Sequence, residues 1–322
     1  MPPERTSQHS PTPQQFPNDQ VLVNIEGLCF KLKHLMDSTT NKKPRHLPAI
    51  QRPRTSISIF QWADLKAIAF ERSGDPDHWR FYKKGCRIDP VLLKLVDSTG
   101  QPKESAIESL LNQSGTVRLD RLDLHAPKIR SIAEKIMRHT GARVRAVAIA
   151  SGGSVQGMPK HYDPVDVIAI QTVGTKRWNL FGGPTAGCGV FGKADPQPET
   201  VSDFIELSEG DILFVPAGIH HCCTASEPSL HIAFTLKWPT LMDIRRESPK
   251  QTESKAAMEP IRFYGNEQNL ISMAAKTDRT LPKPLSAEQL ENGIRTWLHQ
   301  RDHDIDIEES VRETTTAAGF AG

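Results

Sequence analysis

Between Ala142 and about Trp238 the chain is cut into short apolar runs, among them VRAVAIAS, VIAIQT, TKRWNL, ILFVP and SLHIAFTL, separated by Gly, Pro and Asp. Runs of this length with this punctuation are the pattern of many short strands, hence of a β-sandwich or barrel. In a strand, successive side chains point to opposite faces, so residues i and i+2 stand on the same side. Any polar pair spaced by two inside such a run is therefore aimed at one place. His161 and Asp163, at the head of HYDPVDVIAIQT, form such a pair.

The flanks have a different texture. Residues 1–19 are rich in Pro, Gln and Ser, the composition of a disordered tail. The stretch DSTTNKKPRHLPAIQRPRTS is expected to be a solvated connector, or an arm whose basic residues touch an anionic partner. Helices are expected over 58–72, with Trp62, Leu65 and Ala69 on one side, and over 127–138, where Ile129, Ile132, Ala133, Ile136 and Met137 form a stripe between Pro127 and Gly141. Near the C-terminus, Ser286 and Gln289 have capping-box spacing and Leu285 and Leu290 can form a hydrophobic staple. Leu290, Ile294, Trp297 and Leu298 then share an apolar face, which must bury against the core or a second subunit.

Composition sets limits. A chain of 322 residues can bury a substantial core as one large domain with attachments or as two domains. Lys plus Arg number 40 and Asp plus Glu 38, so the charge balance makes no case for direct nucleic-acid binding. No long apolar run and no signal-like start are present, and a cytoplasmic protein without membrane contact is expected. The five cysteines (Cys29, Cys86, Cys188, Cys222, Cys223) lack C-x-x-C spacing and suggest neither a disulfide framework nor a structural zinc site; adjacent Cys222 and Cys223 read as strand residues.

An imidazole and a carboxylate on one strand face are half of a metal site. GDILFVPAGIHHCC offers the missing nitrogen donor: a turn at Gly210-Asp211, a short buried strand, and a second turn at Pro216-Ala217-Gly218 that delivers His220 and His221. Two histidines and a carboxylate with open positions are the facial triad of non-haem Fe(II) oxygenases. If VIAIQT and TKRWNL form a hairpin about Val173-Gly174, Lys176 stands opposite Gln171 and shares the side of His161 and Asp163. A cation there can hold the far carboxylate of a bound acid. Elsewhere, His231 is expected in a supporting or packing position, HQRDHDIDIEES in a solvated tail, and the glycines of FGGPTAGCG in a loop rather than a phosphate cradle.

These motifs resemble the JmjC-type cupin family of 2-oxoglutarate-dependent oxygenases, particularly its ribosomal-oxygenase branch. The resemblance runs from about Thr116 to Trp238 and rests on HYD, TKRW, GDILFVPAGIHH and the GTVRLDRLDLHAP segment. It implies a mainly β core, a double-stranded β-helix (cupin or jelly roll), with flanking α-helices, α+β overall. It implies Fe(II) held by His161, Asp163 and His221, the P-x-G-x-x-H register selecting His221 over His220. Lys176 matches the family's anchor for the distal carboxylate of 2-oxoglutarate, and O2 completes the cofactor set. Val147 and Ile149 depart from the family, many of whose members carry Asn and Tyr there.

The division expected is a disordered tail over 1–19, an extension of helix and strand over 20–115, the cupin core over 116–240, and a helical segment over 241–322 that is a candidate homodimer element. The reaction implied is hydroxylation of a protein or peptide side chain, ribosomal proteins being one substrate class. The alternatives are hydroxylation of a peptide natural product or free amino acid, demethylation of N-methyl-lysine, and a cupin that binds without oxidising.

Overall fold

The computed structural model describes residues 43–48, 59–70, 75–153, 156–182, 200–246, 261, 267–281 and 284–302. The expected disordered tail, Cys29, Cys188 and the FGGPTAGCG loop after Gly182 lie outside them, as does the HQRDHDIDIEES tail after Asp302.

Among the described residues eleven strands form two antiparallel sheets. They are β1 (Arg45–Leu47), β2 (Trp79–Lys83), β3 (Cys86–Arg87), β4 (Gly115–Leu119), β5 (Arg143–Ser151), β6 (Asp166–Val173), β7 (Lys176–Phe181), β8 (Asp203–Leu207), β9 (Ile212–Val215), β10 (His220–Thr224) and β11 (Ser229–Lys237). The larger sheet has the order β1-β9-β6-β11-β5-β4-β2-β3 and the smaller β10-β7-β8. The non-sequential order is that of a jelly roll, in which the chain passes repeatedly from one sheet to the other.

Strand alternation gives the large sheet two unlike faces. Ala146, Ala148, Ala150, Ile168, Ile170, Ile232, Phe234 and Leu236 point outward into the main core, with Ile129, Ile132 and Ile136 of the helix Pro127–Thr140. That helix starts at Pro127 and ends on Gly141 in the left-handed region at φ 69°, as its sequence signals require. The opposite face looks at the small sheet across a second, smaller cluster formed by Val167, Ala169, Leu213, Val215 and Ala233 with Trp178, Leu180 and Leu207.

Two expectations are corrected. VIAIQT and TKRWNL are strands, but they do not form a hairpin: β6 pairs with β9 and β11 in one sheet, β7 with β8 and β10 in the other. The Val173-Gly174 connection is the crossing between sheets. Gly174 has φ 65°, and a Cβ there would meet the Pro228 carbonyl oxygen at 2.5 Å. The second concerns the basic connector, which contributes Arg45–Leu47 as an edge strand on β9 and sets His46 Nε2 3.1 Å from Asp211 Oδ2. The first helix, described over Trp62–Phe70, starts at Trp62 rather than at 58, and the end of its 58–72 expectation lies outside the described residues.

The C-terminal apolar face finds its partner within the chain. In the helix Ala287–Asp302, Leu290, Ile294 and Trp297 are buried in the main core, and Gly293 lies so close to Ile244 that a Cβ would approach its carbonyl oxygen to 2.3 Å. Ser286 N donates to Gln289 Oε1 at 2.9 Å and Gln289 N to Ser286 Oγ at 3.2 Å, the reciprocal capping box. With the face covered, it no longer argues for a second subunit. No described helix is long and apolar enough to cross a membrane.

Candidate functional site

His161 and Asp163 lie in the segment entering β6, and His221 is the second residue of β10. A local bridge between the two segments sets the histidines opposite each other: His161 N donates to His221 O at 3.0 Å and His221 N to His161 O at 2.7 Å. The turn before β10 is held by two further bonds. Gly218 donates to Asp163 O at 2.8 Å from a φ of 82°, which favours glycine, and Ala217 N donates to Asp166 Oδ1 at 2.8 Å. The other oxygen of the fully buried Asp166 accepts from Trp238 Nε1 at 2.9 Å.

The side chains converge. One ligand atom from each of His161, Asp163 and His221 lies within 4.8 Å of the others, and His221 Nε2 is 3.7 Å from Asp163 Oδ2. His161 Nδ1 is 2.8 Å from the Pro159 carbonyl and His221 Nδ1 is 2.9 Å from the Ile219 carbonyl. A carbonyl only accepts, so each Nδ1 carries the hydrogen and each Nε2 presents a lone pair. Burial first, then His161, lowers the His221 pKa while Asp163 opposes them, which favours the neutral imidazole that metals bind. His220 packs its ring against Tyr162, with centroids 5.0 Å apart.

The triad opens on a cavity between the sheets with about 580 Å³ of space, part of it continuous with solvent. At one end Lys176, only 2% exposed, donates to Ser151 Oγ at 3.0 Å and to His231 Nδ1 at 3.1 Å. Thr116 Oγ1 is 3.0 Å from Ser151 Oγ, and a Cβ at Gly157 would come within 2.7 Å of that threonine oxygen. Burial lowers the Lys176 pKa to about 8, so the amine is still mainly protonated at neutral pH. Burial and Lys176 push His231 well below the usual histidine range, and its Nε2 is buried with no hydrogen-bond partner among the described residues. A buried ammonium bonded to a hydroxyl and a neutral imidazole, with no carboxylate partner among the described residues, has the chemistry of an anion anchor.

Lys176 was named by two routes, the family motif and a hairpin count, and the hairpin does not exist. The lysine reaches the cavity from the small sheet, on the same inward face of β7 as Trp178 and Leu180. Ser151 and His231 complete its surroundings; Ser151 went unnoticed, although its place two residues from Ile149 in VRAVAIAS put it on the same face. Arg118 was also overlooked. It lines the cavity from β4, its Nε donating to Asp120 Oδ1 at 2.6 Å, and a charge inside the apolar run GTVRL was the available signal. Val147 and Ile149 form part of the apolar wall.

Residues 124–244 match the JmjC domain family. Over 200 residues the chain is 27% identical to ribosomal oxygenase 2 of Rattus norvegicus, covering 58% of this chain and 41% of the relative. Over 164 residues it is 26% identical to the bifunctional lysine-specific demethylase and histidyl-hydroxylase NO66 of Drosophila mojavensis, covering 48% of this chain and 18% of that one. The chain thus spans less than half the length of either relative. The crystal structure of Escherichia coli ycfD superposes with a TM-score of 0.49 at 14% identity, over 83% of this chain and 71% of that one.

Proposed function

We propose, from a JmjC domain whose histidines and aspartate converge beside a buried lysine, that the chain is an Fe(II)- and 2-oxoglutarate-dependent oxygenase acting on a protein or peptide side chain. The observation that carries the reading is the joining of two unlike sites in one cavity: an N, N, O donor set suited to Fe(II), and an ammonium with no carboxylate partner among the described residues. Ribosomal proteins are the substrate class that the relatives' names favour, and the cytoplasm is the corresponding setting. The functional division we propose is the core over 116–240, the extension over 20–115 and the helical segment over 241–322.

In this reading His161, Asp163 and His221 hold the metal, and Lys176 with Ser151 holds the distal carboxylate of 2-oxoglutarate. Bound iron, O2 and 2-oxoglutarate together supply insertion of one oxygen atom into a C–H bond, the cosubstrate leaving as succinate and CO2. The protein contributes geometry and access. The Pro159 and Ile219 carbonyls fix both imidazole tautomers, so the lone pairs are presented before metal arrives. Val147, Ile149, Val167 and Ala233 keep the wall apolar, and the burial of Lys176 strengthens its contact with a bound carboxylate.

Succinate release from 2-oxoglutarate under Fe(II), ascorbate and air tests the activity and separates it from a cupin that only binds. A wild-type protein that binds Fe(II) and 2-oxoglutarate yet releases no succinate, with or without peptide, would reject the oxygenase reading. Demethylation, which the fruit-fly relative's name includes, requires formaldehyde release from an N-methyl-lysine peptide. Loss of a 16 Da addition from ribosomal proteins of a deletion strain would identify the hydroxylated chain.

A further inference from the structure

We infer that His231 is a positioning residue for the cosubstrate: a neutral acceptor that holds the Lys176 ammonium at one end of the cavity without cancelling the charge that binds the far carboxylate. The inference rests on the oxygenase reading and concerns the anchor of that same site. Lys176 comes from β7 of the small sheet, whereas Ser151 and His231, to which it donates, both stand on the large sheet. Ser151 of β5 is registered with Ser229 of β11, and Ile149 with His231, so Ser151 and His231 are diagonal neighbours, roughly 7–8 Å apart on the sheet. The ammonium bridges that diagonal, 3.0 Å from Ser151 Oγ and 3.1 Å from His231 Nδ1.

The residue type at 231 decides what the lysine can do. A carboxylate there would form an ion pair, which the cosubstrate would have to break before binding. An aliphatic side chain would leave one of the ammonium's three hydrogens unanswered in a buried place and free a long side chain to rotate. A neutral imidazole avoids both. The charged amine donates to Nδ1, so the ring hydrogen sits on Nε2, and burial together with Lys176 keeps the ring from taking a second proton. From β10, Cys223 also faces Lys176, but burial pushes its thiol up to about 12 and it adds no charge. The ring is itself held, buried and edge-on to the Trp178 ring at 5.4 Å, and Trp178 in turn lies 5.3 Å from the ring of His221. With Ser151 and His231 taking two hydrogens, the third is left for one carboxylate oxygen, on a side chain ordered before the ligand arrives.

The test loads the full chain with Mn(II) and follows water-proton relaxation as a 2-oxo acid displaces water from the metal, with 2-oxoglutarate and 2-oxobutyrate as probes. The second keeps the chelating head and lacks the far carboxylate. In His231→Leu the 2-oxoglutarate affinity should fall about 10- to 100-fold, while Mn(II) and 2-oxobutyrate bind as in the wild type. His231→Asn restores a neutral acceptor and should regain most of the loss; His231→Asp, the same shape with a charge, should not. The pH above which 2-oxoglutarate affinity declines should be lower in His231→Leu, because an acceptor for the ammonium favours its charged form, and should return toward the wild-type value in His231→Asn. Equal 2-oxoglutarate affinity in wild type and His231→Leu overturns the inference. So does an equal loss for both probes, which would make His231 a packing residue, or binding by His231→Asp as tight as by His231→Asn. Should the thermal midpoint show that His231→Leu is unfolded, the Asn and Asp pair decides, together with the imidazole nitrogen shifts of the wild type, where a hydrogen on Nδ1 of His231 overturns the inference. A wild type that binds Mn(II) but neither 2-oxo acid sinks the oxygenase reading, and the inference with it.

Discussion

The two faces of the large sheet are built from the same strands and do opposite work. On the outward face Ala146, Ala148, Ile168, Ile232 and Phe234 meet helices in an apolar core. One residue along each strand, the inward face presents Thr116, Arg118, Ser151, Gln171, His231 and Thr235 to the small sheet. Period-2 alternation separates stability from chemistry without separating them in sequence. The cost of the polar face is visible in buried groups such as His231 Nε2 and Gln171 Oε1, which have no partner among the described residues. Such groups weaken a fold unless something else answers them, and a bound anion is one such answer for the Lys176 recess.

The comparison breaks if substitutions on the two faces have interchangeable effects. The largest separation is expected at the triad. His161→Ala or His221→Ala should abolish turnover and weaken Fe(II) binding by more than about 100-fold, since ligand loss exceeds the effect of losing a supporting contact. Both variants should stay folded by circular dichroism. His220→Ala, whose ring packs on Tyr162 instead, should still turn over; the reverse outcome would mean that β10 is offset by one residue.

Phe234→Ala tests the other face. It removes a fully buried ring from the main core, and the expected loss is about 3–5 kcal/mol of unfolding free energy by denaturant titration. At a temperature where the variant remains folded, its 2-oxoglutarate affinity should match the wild type. A selective loss of that affinity with little loss of stability would show that the faces are coupled through the sheet.

The contrast also explains what could be read in the sequence. The convergence of His161 and Asp163 was legible in local spacing, two residues along an extended chain; a turn of fixed length before a strand brought either His220 or His221 to them, and only the family's register chose His221, which is the one the structure brings within reach. Helix 127–140 and the Ser286–Gln289 box were legible for the same reason. Which strands become neighbours is a non-local choice, and local alternation does not encode it. The β6–β7 hairpin therefore failed, and with it the geometric derivation of Lys176, which lines the cavity from the other sheet. Strand β1 escaped because Arg45, His46 and Leu47 have no apolar pattern; its pairing depends on the edge that β9 offers. The helix 287–302 shows a related limit: an apolar stripe specifies burial but not whose surface provides it, and of the two surfaces open in the sequence, core or second subunit, Leu290, Ile294 and Trp297 take the core.

Within the polar face, Lys176→Ala should weaken 2-oxoglutarate binding by about 30- to 1,000-fold, the equivalent of about 2–4 kcal/mol for a charge-assisted contact in a desolvated site. Metal affinity should be preserved. Isothermal titration with Mn(II)-loaded protein under argon measures both quantities. An unchanged 2-oxoglutarate affinity would remove Lys176 from the site and leave its burial unexplained.

The smallest effect is a pH dependence, and its sign follows from the depressed pKa of Lys176. Below about 8 the amine is protonated and 2-oxoglutarate affinity should be nearly constant, because both carboxylates of the ligand are ionised well below neutrality. As pH rises past about 8 the free protein loses this proton, and binding must then restore it. The affinity should fall by up to about 10-fold per pH unit until the pKa of the complex is reached. His231, held neutral, and Cys223, pushed up to about 12, contribute no competing step between pH 8 and 9. The same shift makes folding more favourable as pH rises from about 8 toward the ordinary lysine value of 10.5, because across that range the unfolded chain holds the proton that the folded one has lost. Lys176→Arg isolates the cause: arginine stays charged across the range, so its weaker but measurable 2-oxoglutarate affinity should be flat from pH 7 to 9. A slope that survives in Lys176→Arg would assign the titration to another group.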